Sequence, residues 1–335
     1  MARTKIILIT DAWDPQVNGV VTTYKNILNH LPSDISIEII HPGRFTTFKL
    51  PFYKEIDIPL CSLSRMKKML YDISLYANLQ GYNVYYHIAT EGLLGLQAKR
   101  TLRKKRQIYT TAYHTKFPEF IEALYKIPIK FTKWYFNWFH KHSKYVLCSS
   151  VSNAKENFHW NSVVLDKGFA EHFTYKKKKN TFTKTLLYVG RVSKEKNLEE
   201  FCRLDILNTK KIVVGGGPAL KSLQKQYPDV EFVGYKFGRE LVEFYQNADV
   251  FVFPSKVDTF GNVILEAMAC GTPAAGFPVT GPIDQIQNGI NGYVDEDLEL
   301  AVEMSLDISR TSVYNSVKNK NWQNSAKLFL DYVTK

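Results

Sequence analysis

Short runs of apolar residues alternate along this chain with longer stretches of helical spacing. Each run has four to six residues and is rich in β-branched or aromatic side chains, which is typical of strands. Because such strands alternate with helices, the pattern predicts parallel sheets with crossover helices, the α/β fold class. The predicted strands form two series, 5–10, 35–40, 84–88, 108–112 and 145–149, and then 185–189, 211–214, 230–233, 250–254 and 273–276.

A polar break separates the two series. The lysine run 176–179, followed by Asn180, is predicted to be a solvated linker. The length of 335 residues agrees with about two domains. We therefore predict a first domain over 1–172, a linker over 173–184 and a second domain over 185–311.

The last segment, 312–335, has the spacing of a helix. Its apolar residues Val317, Trp322, Leu328 and Phe329 are the predicted buried positions.

Composition restricts the class of protein. Apolar residues make up 45% of the chain and charged residues 23%, which is ordinary for a soluble globular protein. No run approaches the roughly 18 apolar residues of a membrane span, and the apolar run 6–9 is a first strand rather than a signal core. The cysteines lack metal or disulfide spacing, which predicts buried thiols in a reducing cytoplasm. They are Cys61, Cys148, Cys202 and Cys270.

The positive charge is concentrated in the first half of the chain. Residues 1–165 contain 22 Lys and Arg against 11 Asp and Glu, whereas the remaining residues contain 22 against 21. Nearly all of the formal charge of +12 therefore belongs to the first domain.

Residues 252–273 carry the most specific chemistry. A strand leads through a short polar loop into a helix, with carboxylates at Asp258 and Glu266 and a glycine at Gly261. With Asp258 in the loop and the helix starting near Asn262, Glu266 lies about one turn into the helix. The two acids then hold different hydroxyl-bearing parts of one ligand, while backbone N–H groups face an anionic part. This arrangement indicates a sugar-nucleotide site.

A plainer interpretation of the same residues is open. Asp258 would be a helix-capping acid and Glu266 a solvated helix residue. The apolar flanks 263–265 and 267–269 argue against it, because a carboxylate among buried residues usually has a partner.

The segment resembles the E-x7-E region of the retaining glycosyltransferases of family 4, in a variant that reads Asp-Thr-Phe-Gly. Three other segments agree in order: DAWDPQVNGV at 11–20, YHT at 113–115, and YVGR at 188–191 continuing to Lys196. The resemblance covers effectively the whole chain. It implies the GT-B fold, with two Rossmann-like domains whose parallel sheets face a central cleft and a terminal helix that crosses back to the first domain.

The resemblance also implies roles for the site residues. Asp258 would hold sugar hydroxyls, with a reach one methylene shorter than the usual Glu, and Glu266 would hold the ribose. The remaining donor-binding positions that it implies are Gly19, Gly216, Thr259, Phe260, Gly261 and Asn262.

Two positions in the first domain have common structural alternatives. Gly19 lies after the first strand, where a glycine lets the backbone approach a pyrophosphate, although a lone glycine is more often just a turn. Many relatives have two glycines where this chain has Asn18 and Gly19. His114 lies at the carboxyl end of a strand; a single histidine is usually structural, but the resemblance implies that it lies by the transferring sugar.

Arg191 and Lys196 are the predicted clamp for the diphosphate. Two cations in a loop after a strand suit that anion, Arg as a planar fork and Lys as a point charge. An exposed basic loop is the alternative from the residues alone, and Lys194 is an alternative in near register. Gly216, in the run after the next strand, would permit close passage of the nucleotide or simply form a turn.

No metal and no bound cofactor are predicted; the nucleotide sugar is a co-substrate. Asp11 and Asp14 have metal-ligand chemistry, but the resemblance implies a site that needs no ion. A dinucleotide oxidoreductase would require a G-x-G-x-x-G turn with an acid about 20 residues later, which neither candidate turn supplies.

The implied reaction is transfer of a hexose with retention of anomeric configuration (EC 2.4 class). The donor phosphate accepts the proton of the acceptor. Arg191, Lys196 and the helix start near Asn262 stabilise the leaving diphosphate, a contribution worth about 3–4 kcal/mol per essential donor. UDP-hexose is the favoured donor and GDP-mannose the rival.

The basic first domain predicts the acceptor. Clusters at 67–68, 99–100 and 103–106 and the aromatic-rich run 124–145 combine cations with Trp and Tyr, which suits a protein lying on an anionic membrane. We therefore expect a cytoplasmic enzyme, peripheral on the membrane, with a lipid or lipid-linked acceptor. Nucleic acid and a soluble glycan are the alternative acceptors, and a solvated basic face with part of the aromatic content in the core is the plainer interpretation. A catalytically inactive sugar-nucleotide-binding protein is the non-enzyme alternative.

Overall fold

The computed structural model describes residues 3–16, 18–50, 53–114, 118, 121–122, 126–157, 160–179, 181–257 and 260–335. The contacts divide the chain into two units. Unit 1 comprises Met1–Lys167 and Trp322–Lys335, and unit 2 comprises Gly168–Asn321. In the described ranges no helix is both long enough and apolar enough to cross a membrane.

Unit 1 is built on a six-stranded parallel sheet of order β2-β1-β5-β6-β7-β8. A separate antiparallel hairpin, β3-β4, is inserted between β2 and β5. The strands are β1 (Arg3–Ile9), β2 (Ile35–Ile40), β3 (Thr47–Leu50), β4 (Tyr53–Pro59), β5 (Tyr82–Ile88), β6 (Thr110–Tyr113), β7 (Val146–Cys148) and β8 (Ser162–Val164). The helices described are α1 (Gly19–Asn29), α2 (Leu63–Leu79), α3 (Leu93–Lys104), α4 (Ile129–His140) and α5 (Val151–Glu156), with a final helix, α13 (Trp322–Thr334).

The alternation of side chains along β1 produces two core layers. Ile7 and Ile9 pack with residues of α2, α3 and α4 on one face of the sheet. Ile6 and Leu8 pack with α1 and the final helix on the other face. A parallel sheet covered on both faces needs apolar residues at every strand position, which is why the predicted strands are continuous apolar runs.

Unit 2 contains a second six-stranded parallel sheet, of order β11-β10-β9-β12-β13-β14. Its strands are β9 (Lys184–Val189), β10 (Thr209–Val214), β11 (Val230–Gly234), β12 (Val250–Phe253), β13 (Ala274–Gly276) and β14 (Gly292–Val294). Its helices are α6 (Leu198–Arg203), α7 (Leu220–Gln226), α8 (Gly238–Asn247), α9 (Asn262–Ala269), α10 (Pro282–Gln285), α11 (Leu298–Ser305) and α12 (Arg310–Val317). Helices α8, α9 and α12 cover one face, and α6, α7 and α11 cover the other.

The α/β fold class and all ten predicted strands are confirmed, with boundaries within about two residues. The structure adds the hairpin β3-β4 and the three-residue strands β8 and β14, which lie at the edges of the sheets. Three residues are too few to display a period in the sequence. All four cysteines are buried and free, as predicted.

The segment predicted as a solvated linker is packed on unit 2. Phe173 belongs to a core cluster, and the ammonium group of Lys178 forms an ion pair with Asp249. Both charged side chains are mostly buried. The prediction of a solvated lysine run is therefore wrong at Lys178, because the carboxylate of Asp249 provides a partner; Asn180 lies outside the described residues.

The end of the chain also differs from the single helix predicted over 312–335. Helix α12 belongs to unit 2, where Val313 and Val317 are buried, and α13 (Trp322–Thr334) belongs to unit 1, where Trp322 and Phe329 are buried. The segment between the two helices is polar, and it holds the boundary between the units.

Candidate active site

The carboxyl edge of the unit 2 sheet is the first candidate site. Strands are added in one direction from β9 to β11 and in the other from β12 to β14, so the order reverses between β9 and β12. The loops after two such strands diverge and leave a crevice, which is where open α/β sheets bind ligands. The predicted donor residues of the second domain that the structure describes lie in the loops that leave this edge or on α9.

The loop after β9 carries both predicted clamp cations. Arg191 is partly buried and Lys196 ends a 3-10 turn, whereas Lys194 is exposed. Asn197 follows with a left-handed backbone (φ 53°), and its amide donates to the carbonyl oxygen of Pro254 at 3.1 Å. The side chain of Asn197 therefore ties the cation loop to the loop after β12.

The close packing of neighbouring loops accounts for the glycine run after β10. A Cβ on Gly215 would lie 1.9 Å from the carbonyl oxygen of Gly190, and one on Gly217 would lie 2.3 Å from that of Val192. A Cβ on Gly216 would lie 2.6 Å from the ring of Tyr235. The close approach is made by neighbouring protein atoms, so the glycines keep the loops after β9 and β10 together at the crevice.

The helix start after β12 has the geometry that the sequence predicted. Gly261 has a left-handed backbone (φ 75°), and α9 begins at the next residue, Asn262. Phe260 is buried, and its carbonyl oxygen accepts a hydrogen bond from the side-chain amide of Gln285. The N terminus of α9 is thus fixed by a buried ring and a side-chain amide. Asp258 and Thr259 lie outside the described residues.

Glu266 lies one turn into α9, partly buried. One carboxylate oxygen accepts a hydrogen bond of 2.9 Å from the hydroxyl of Tyr245 on α8. Burial raises the pKa of Glu266 to about 7, and the Tyr245 hydrogen bond opposes that rise. The alternative of a solvated helix residue is therefore excluded, and the carboxyl group keeps a second oxygen to offer to a ligand.

In unit 1, Gly19 is the first residue of α1. The side-chain oxygen of Asn18 accepts hydrogen bonds from the N–H groups of Val20 and Val21, both at 3.0 Å. Asn18 therefore caps this helix. The Asn18 side chain therefore occupies N–H groups of α1 that a bound anion would otherwise contact.

The two aspartates that follow β1 have protein partners. The carboxylate of Asp11 accepts from the N–H groups of Leu94 at 2.7 Å and Gly95 at 3.3 Å, and so caps α3. Asp14 forms an exposed ion pair with Lys25. Across the described ranges no three His, Cys, Asp or Glu residues form a group suited to a metal ion.

His114 lies at the carboxyl end of β6 and is buried. Its Nε2 is 2.9 Å from the hydroxyl oxygen of Tyr24, which in turn is 2.7 Å from Nε2 of His87. Nδ1 of His87 is 2.8 Å from the hydroxyl of Thr110. Burial lowers the pKa of His87 to about 3 and, with the nearby charge of Lys167, lowers the pKa of His114 well below its usual value. Both imidazoles are therefore neutral at physiological pH.

A second buried chain lies at the same edge of the sheet. Nδ1 of His140 is 2.8 Å from the hydroxyl of Thr111, and its Nε2 is 3.2 Å from the carboxylate of Glu91. The hydroxyl of Thr111 also lies 3.0 Å from the hydroxyl oxygen of Ser143. Burial raises the pKa of Glu91 well above its usual value.

Six of these polar side chains were not predicted from the sequence: Tyr24, His87, Glu91, His140, Asn197 and Tyr245. For Glu91 and Asn197, the only signal in the sequence was their position after a strand, at the carboxyl edge of a sheet. The two tyrosines sit on helices, and their hydroxyl partners are distant in sequence.

Known proteins resemble this chain. The family described as "Glycosyl transferases group 1" matches residues 183–306. A GDP-mannose-dependent alpha-mannosyltransferase of Corynebacterium glutamicum is 28% identical over an alignment that covers 95% of this chain and 86% of the relative. An alpha-monoglucosyldiacylglycerol synthase of Streptococcus pneumoniae is 26% identical, over 97% of this chain and 83% of the relative.

A solved structure shares the fold. Sucrose-phosphate synthase from Thermosynechococcus elongatus has a TM-score of 0.72 with 16% identity, and the match covers 98% of each chain. Together with the two parallel sheets, these findings indicate a glycosyltransferase with the GT-B fold that is similar to those of family 4.

Proposed function

We propose that this chain is a retaining hexosyltransferase that moves a hexose from a nucleotide sugar to a lipid or lipid-linked acceptor at a membrane surface. The observation that supports the donor half is that two cations follow β9 while a helix N terminus and a partly buried carboxyl group follow β12, the two adjacent strands at which the sheet order of unit 2 reverses.

Each part of a nucleotide diphosphate sugar has a matching group there. Arg191 and Lys196 neutralise the diphosphate, aided by the N–H groups at the start of α9 near Gly261 and Asn262. Glu266 accepts from the ribose hydroxyls. We propose that Asp258 and Thr259 contact the sugar and that Phe260 holds the shape of the loop.

The same groups would drive the chemistry. When the bond between the anomeric carbon and the phosphate oxygen breaks, negative charge grows on the diphosphate, and fixed cations stabilise it there. The departing phosphate oxygen takes the proton of the acceptor hydroxyl. The two cations and the helix N terminus supply the positive charge that a metal ion would otherwise supply, so the proposal includes no metal. From unit 1, His114 is the proposed contact to the transferring sugar.

The donor is proposed to be a hexose on UDP, with GDP-mannose as the alternative. The relative from C. glutamicum is named for GDP-mannose, and the relative from S. pneumoniae is named for a glucosyl product. Both donors are therefore included in the test.

The acceptor half rests on the outer surface of unit 1. Helices α2, α3 and α4 pack side by side on one face of the sheet. The side chains of Phe131 and Trp134 on α4 are 70% and 69% exposed. Helix α2 exposes a stripe of Tyr71, Leu75 and Leu79 at i, i+4, i+8 spacing.

Cations surround these exposed apolar side chains. Of the predicted clusters, Lys99 does not contribute, because it is fully buried and its ammonium group donates to the carbonyl oxygen of Trp138. Each exposed Lys or Arg near an anionic bilayer contributes about 1 kcal/mol of binding free energy. The exposed cations of this layer include Arg65, Lys67, Lys68, Arg100, Arg103, Lys104, Lys105, Arg106, Lys130, Lys133 and Lys141.

The donor half is tested by a panel of nucleotide sugars. We expect UDP-hexose or GDP-mannose to raise Tm and to release nucleoside diphosphate, with ligand at 100 times its Kd stabilising the fold by about 2.7 kcal/mol. Stabilisation without turnover on any acceptor would favour the non-enzyme alternative. No stabilisation by any member of the panel would contradict the proposal.

The acceptor half is tested by flotation with anionic and zwitterionic liposomes. Replacing Phe131 and Trp134 by Ser should lower binding to anionic vesicles by roughly 10-fold or more, because two aromatic side chains no longer enter the interface. Phe182→Ser is the matched control, since Phe182 is 82% exposed but belongs to unit 2. Tight, steeply salt-dependent DNA binding without preference for anionic vesicles would overturn the lipid acceptor.

A further inference from the structure

A pocket of about 610 Å³ lies in unit 1 between α2, α3 and the first residues of β5. The buried side chains of Leu70, Tyr86 and Leu102 line its inner part, and exposed side chains line its opening. Pockets that hold small molecules have volumes of roughly 300–1,000 Å³. The space is therefore large enough for a ligand of that size.

Short polar side chains leave this space between the two helices. Ser74 on α2 and Thr101 on α3 both line the pocket, where longer side chains would occupy it. The hydroxyl of Ser74 lies 2.8 Å from the hydroxyl of Tyr86, and that of Thr101 donates to the carbonyl oxygen of Gln97 at 2.8 Å. These hydrogen bonds hold the inner wall in place.

The pocket lies at the end of the sheet opposite the candidate active-site residues of unit 1. Asn83 and Val84 stand at the start of β5, whereas its carboxyl end is Ile88. Five residues of strand span about 16 Å. From α3, which begins near the carboxyl edge, the pocket takes residues at the far end of the helix, such as Lys105. The pocket is therefore separate from His114 and the start of α1.

One cation at the opening has no counter-charge. Of the described residues that line the pocket, Lys105 is the only charged one and none is acidic. Its ammonium group lies 4.7 Å from the centroid of the Tyr71 ring, so it reaches from the end of α3 towards α2. No carboxylate in the described part of the chain pairs with it. An uncompensated cation over a polar pocket favours an anionic ligand.

Three side-chain amides surround the same opening. Asn78, Asn83 and Gln107 line the pocket and are exposed, and their amide groups make no hydrogen bond to a described residue. Each amide offers two N–H donors and a carbonyl acceptor. Such groups suit the hydroxyls of a polyol, which both donate and accept.

The turn after α3 fixes this side of the opening. Arg106 has a left-handed backbone (φ 55°), and the N–H of Gln107 donates to the carbonyl oxygen of Leu102 at 2.9 Å. Glycine is the usual residue at such a helix end, because it adopts this conformation without strain. An arginine here instead adds a second cation beside Lys105.

The opening is continuous with the exposed stripe of α2. Tyr71 and Leu75 belong to that stripe and also line the pocket, and their side chains are 53% and 45% exposed. A ligand in the pocket would therefore have its charged and hydroxyl-bearing part near Lys105 and the amides, and apolar side chains next to its outer end. An amphiphile with a phosphorylated polyol head has this distribution of polarity.

We propose that the pocket between α2 and α3 binds the phosphorylated polyol head group of an anionic phospholipid. Lys105 contacts the phosphate, the amides of Asn83 and Gln107 contact the hydroxyls, and Tyr71 and Leu75 contact the first part of the acyl chains. The statement that this lipid belongs to a membrane rests on the proposed function. The statement about the ligand of the pocket rests on unit 1 alone.

The site is located by titrating the full-length protein, without donor, with a soluble short-chain phosphatidylglycerol below its micelle concentration. In spectra of methyl-labelled protein we expect saturable shifts at Leu70, Leu75, Val84 and Leu102. Short-chain phosphatidylcholine, whose head group has no net charge, should bind roughly 10-fold more weakly. Equal affinity for the two lipids, or shifts confined to Val20 at the start of α1, would overturn the proposal. Saturation by inorganic phosphate at the same affinity would also overturn it, because the head group would then add nothing.

Two adjacent lysines separate a specific contact from general attraction. Lys105→Glu should weaken binding of the short-chain phosphatidylglycerol roughly 10-fold or more, because it places a carboxylate beside the phosphate. Lys104→Glu is the matched control, since Lys104 is exposed at the preceding position and does not line the pocket. It should change the affinity by about twofold or less, as expected for a screened charge outside the site. Equal losses in the two variants would refute the site.

Flotation with phosphatidylglycerol vesicles tests the link to a membrane. We expect Lys105→Glu to reduce vesicle binding more than Lys104→Glu does, although both remove the same charge from the surface. Equal reductions would refute the role of the pocket at a membrane. Wild-type protein that binds the short-chain lipid but no vesicles would contradict the proposed membrane surface and leave the ligand of the pocket standing.

Discussion

At the scale of single residues, the site combines groups that the sequence could place with groups that it could not. The positions of Glu266 and Gly261 follow from local sequence spacing, because both are fixed relative to the start of α9. Tyr24 and His114 are 90 positions apart, so only the folded sheet brings them together. Short-range periodicity carries no information on such a pair, and the buried hydrogen-bonded chain could not be predicted.

The diphosphate clamp predicts a sharp loss of activity. Arg191→Ala and Lys196→Ala should each lower kcat/KM by roughly 10²–10³ with an unchanged Tm, because each removes a charge from the leaving group and neither side chain belongs to the core. Steady-state rates with the best donor measure this. Lys194→Ala is the control, since that side chain is exposed in the same turn. A large loss in Lys194→Ala with little loss in Lys196→Ala would move the clamp to the alternative register.

Glu266 predicts a pH dependence. Its pKa in the folded protein, about 7, lies above the ordinary value of 4.5. The folded state therefore binds this proton more tightly, and the resulting stability is complete below pH 4.5 and is lost as pH rises through about 7. If the ionised carboxylate accepts from the ribose, nucleotide binding near pH 6 should release protons.

Calorimetry in buffers of different ionisation enthalpy counts the released protons. Glu266→Gln should abolish the release and weaken binding of nucleoside diphosphate. Glu243→Gln serves as the control, because Glu243 is an exposed carboxylate on the neighbouring α8. Unchanged proton release in Glu266→Gln would contradict the ribose assignment.

At the scale of elements, one side chain joins the helices that flank the donor crevice. The guanidinium group of Arg310, at the start of α12, donates to the carbonyl oxygens of Ala248 at 2.7 Å, Gln246 at 3.1 Å and Cys270 at 3.0 Å. These carbonyls lie at the ends of α8 and α9. Nothing in the sequence distinguished Arg310 from the other 43 cationic residues, because its role depends on helix ends brought together by folding.

Arg310→Met should destabilise unit 2 by about 3 kcal/mol or more, because it leaves several buried carbonyl groups without a donor. Chemical denaturation followed by a probe in unit 2 measures the loss. Arg239→Met on the exposed side of α8 removes a cation without removing such contacts and should change stability by about 0.5 kcal/mol or less. Equal effects of the two variants would show that the carbonyl contacts contribute little.

At the scale of the whole molecule, most of the net positive charge lies in the first half of the chain, whereas the last segment contributes to the cores of both units. The fold class and five of the six strands of each sheet could be predicted, since these strands lie in mainly apolar runs. The unit boundaries could not be predicted to the residue, because the last segment splits between two cores, and Val317 and Trp322 look alike in sequence while they pack in different units.

The core of unit 1 predicts the effect of its last helix. Phe329 is fully buried among residues of β1 and α1, so Phe329→Ala should cost about 3–5 kcal/mol. Hydrogen exchange should become faster in β1, α1 and β5. Lys327→Ala, on the exposed side of α13, is the control and should leave exchange unchanged. Unchanged protection in Phe329→Ala would mean that α13 is dispensable for the sheet.

The position of α13 has a consequence for how the protein is made. The sheet of unit 1 is encoded by the first half of the chain, but one of its two covering layers is completed only by the final helix, which packs there together with α1. During translation the apolar face formed by Ile6, Leu8 and Ile27 must wait until the ribosome has finished the whole of unit 2. A message cut short just before α13 would therefore yield an intact unit 2 joined to a unit 1 with an uncovered apolar face, which is the feature that chaperones and proteases recognise.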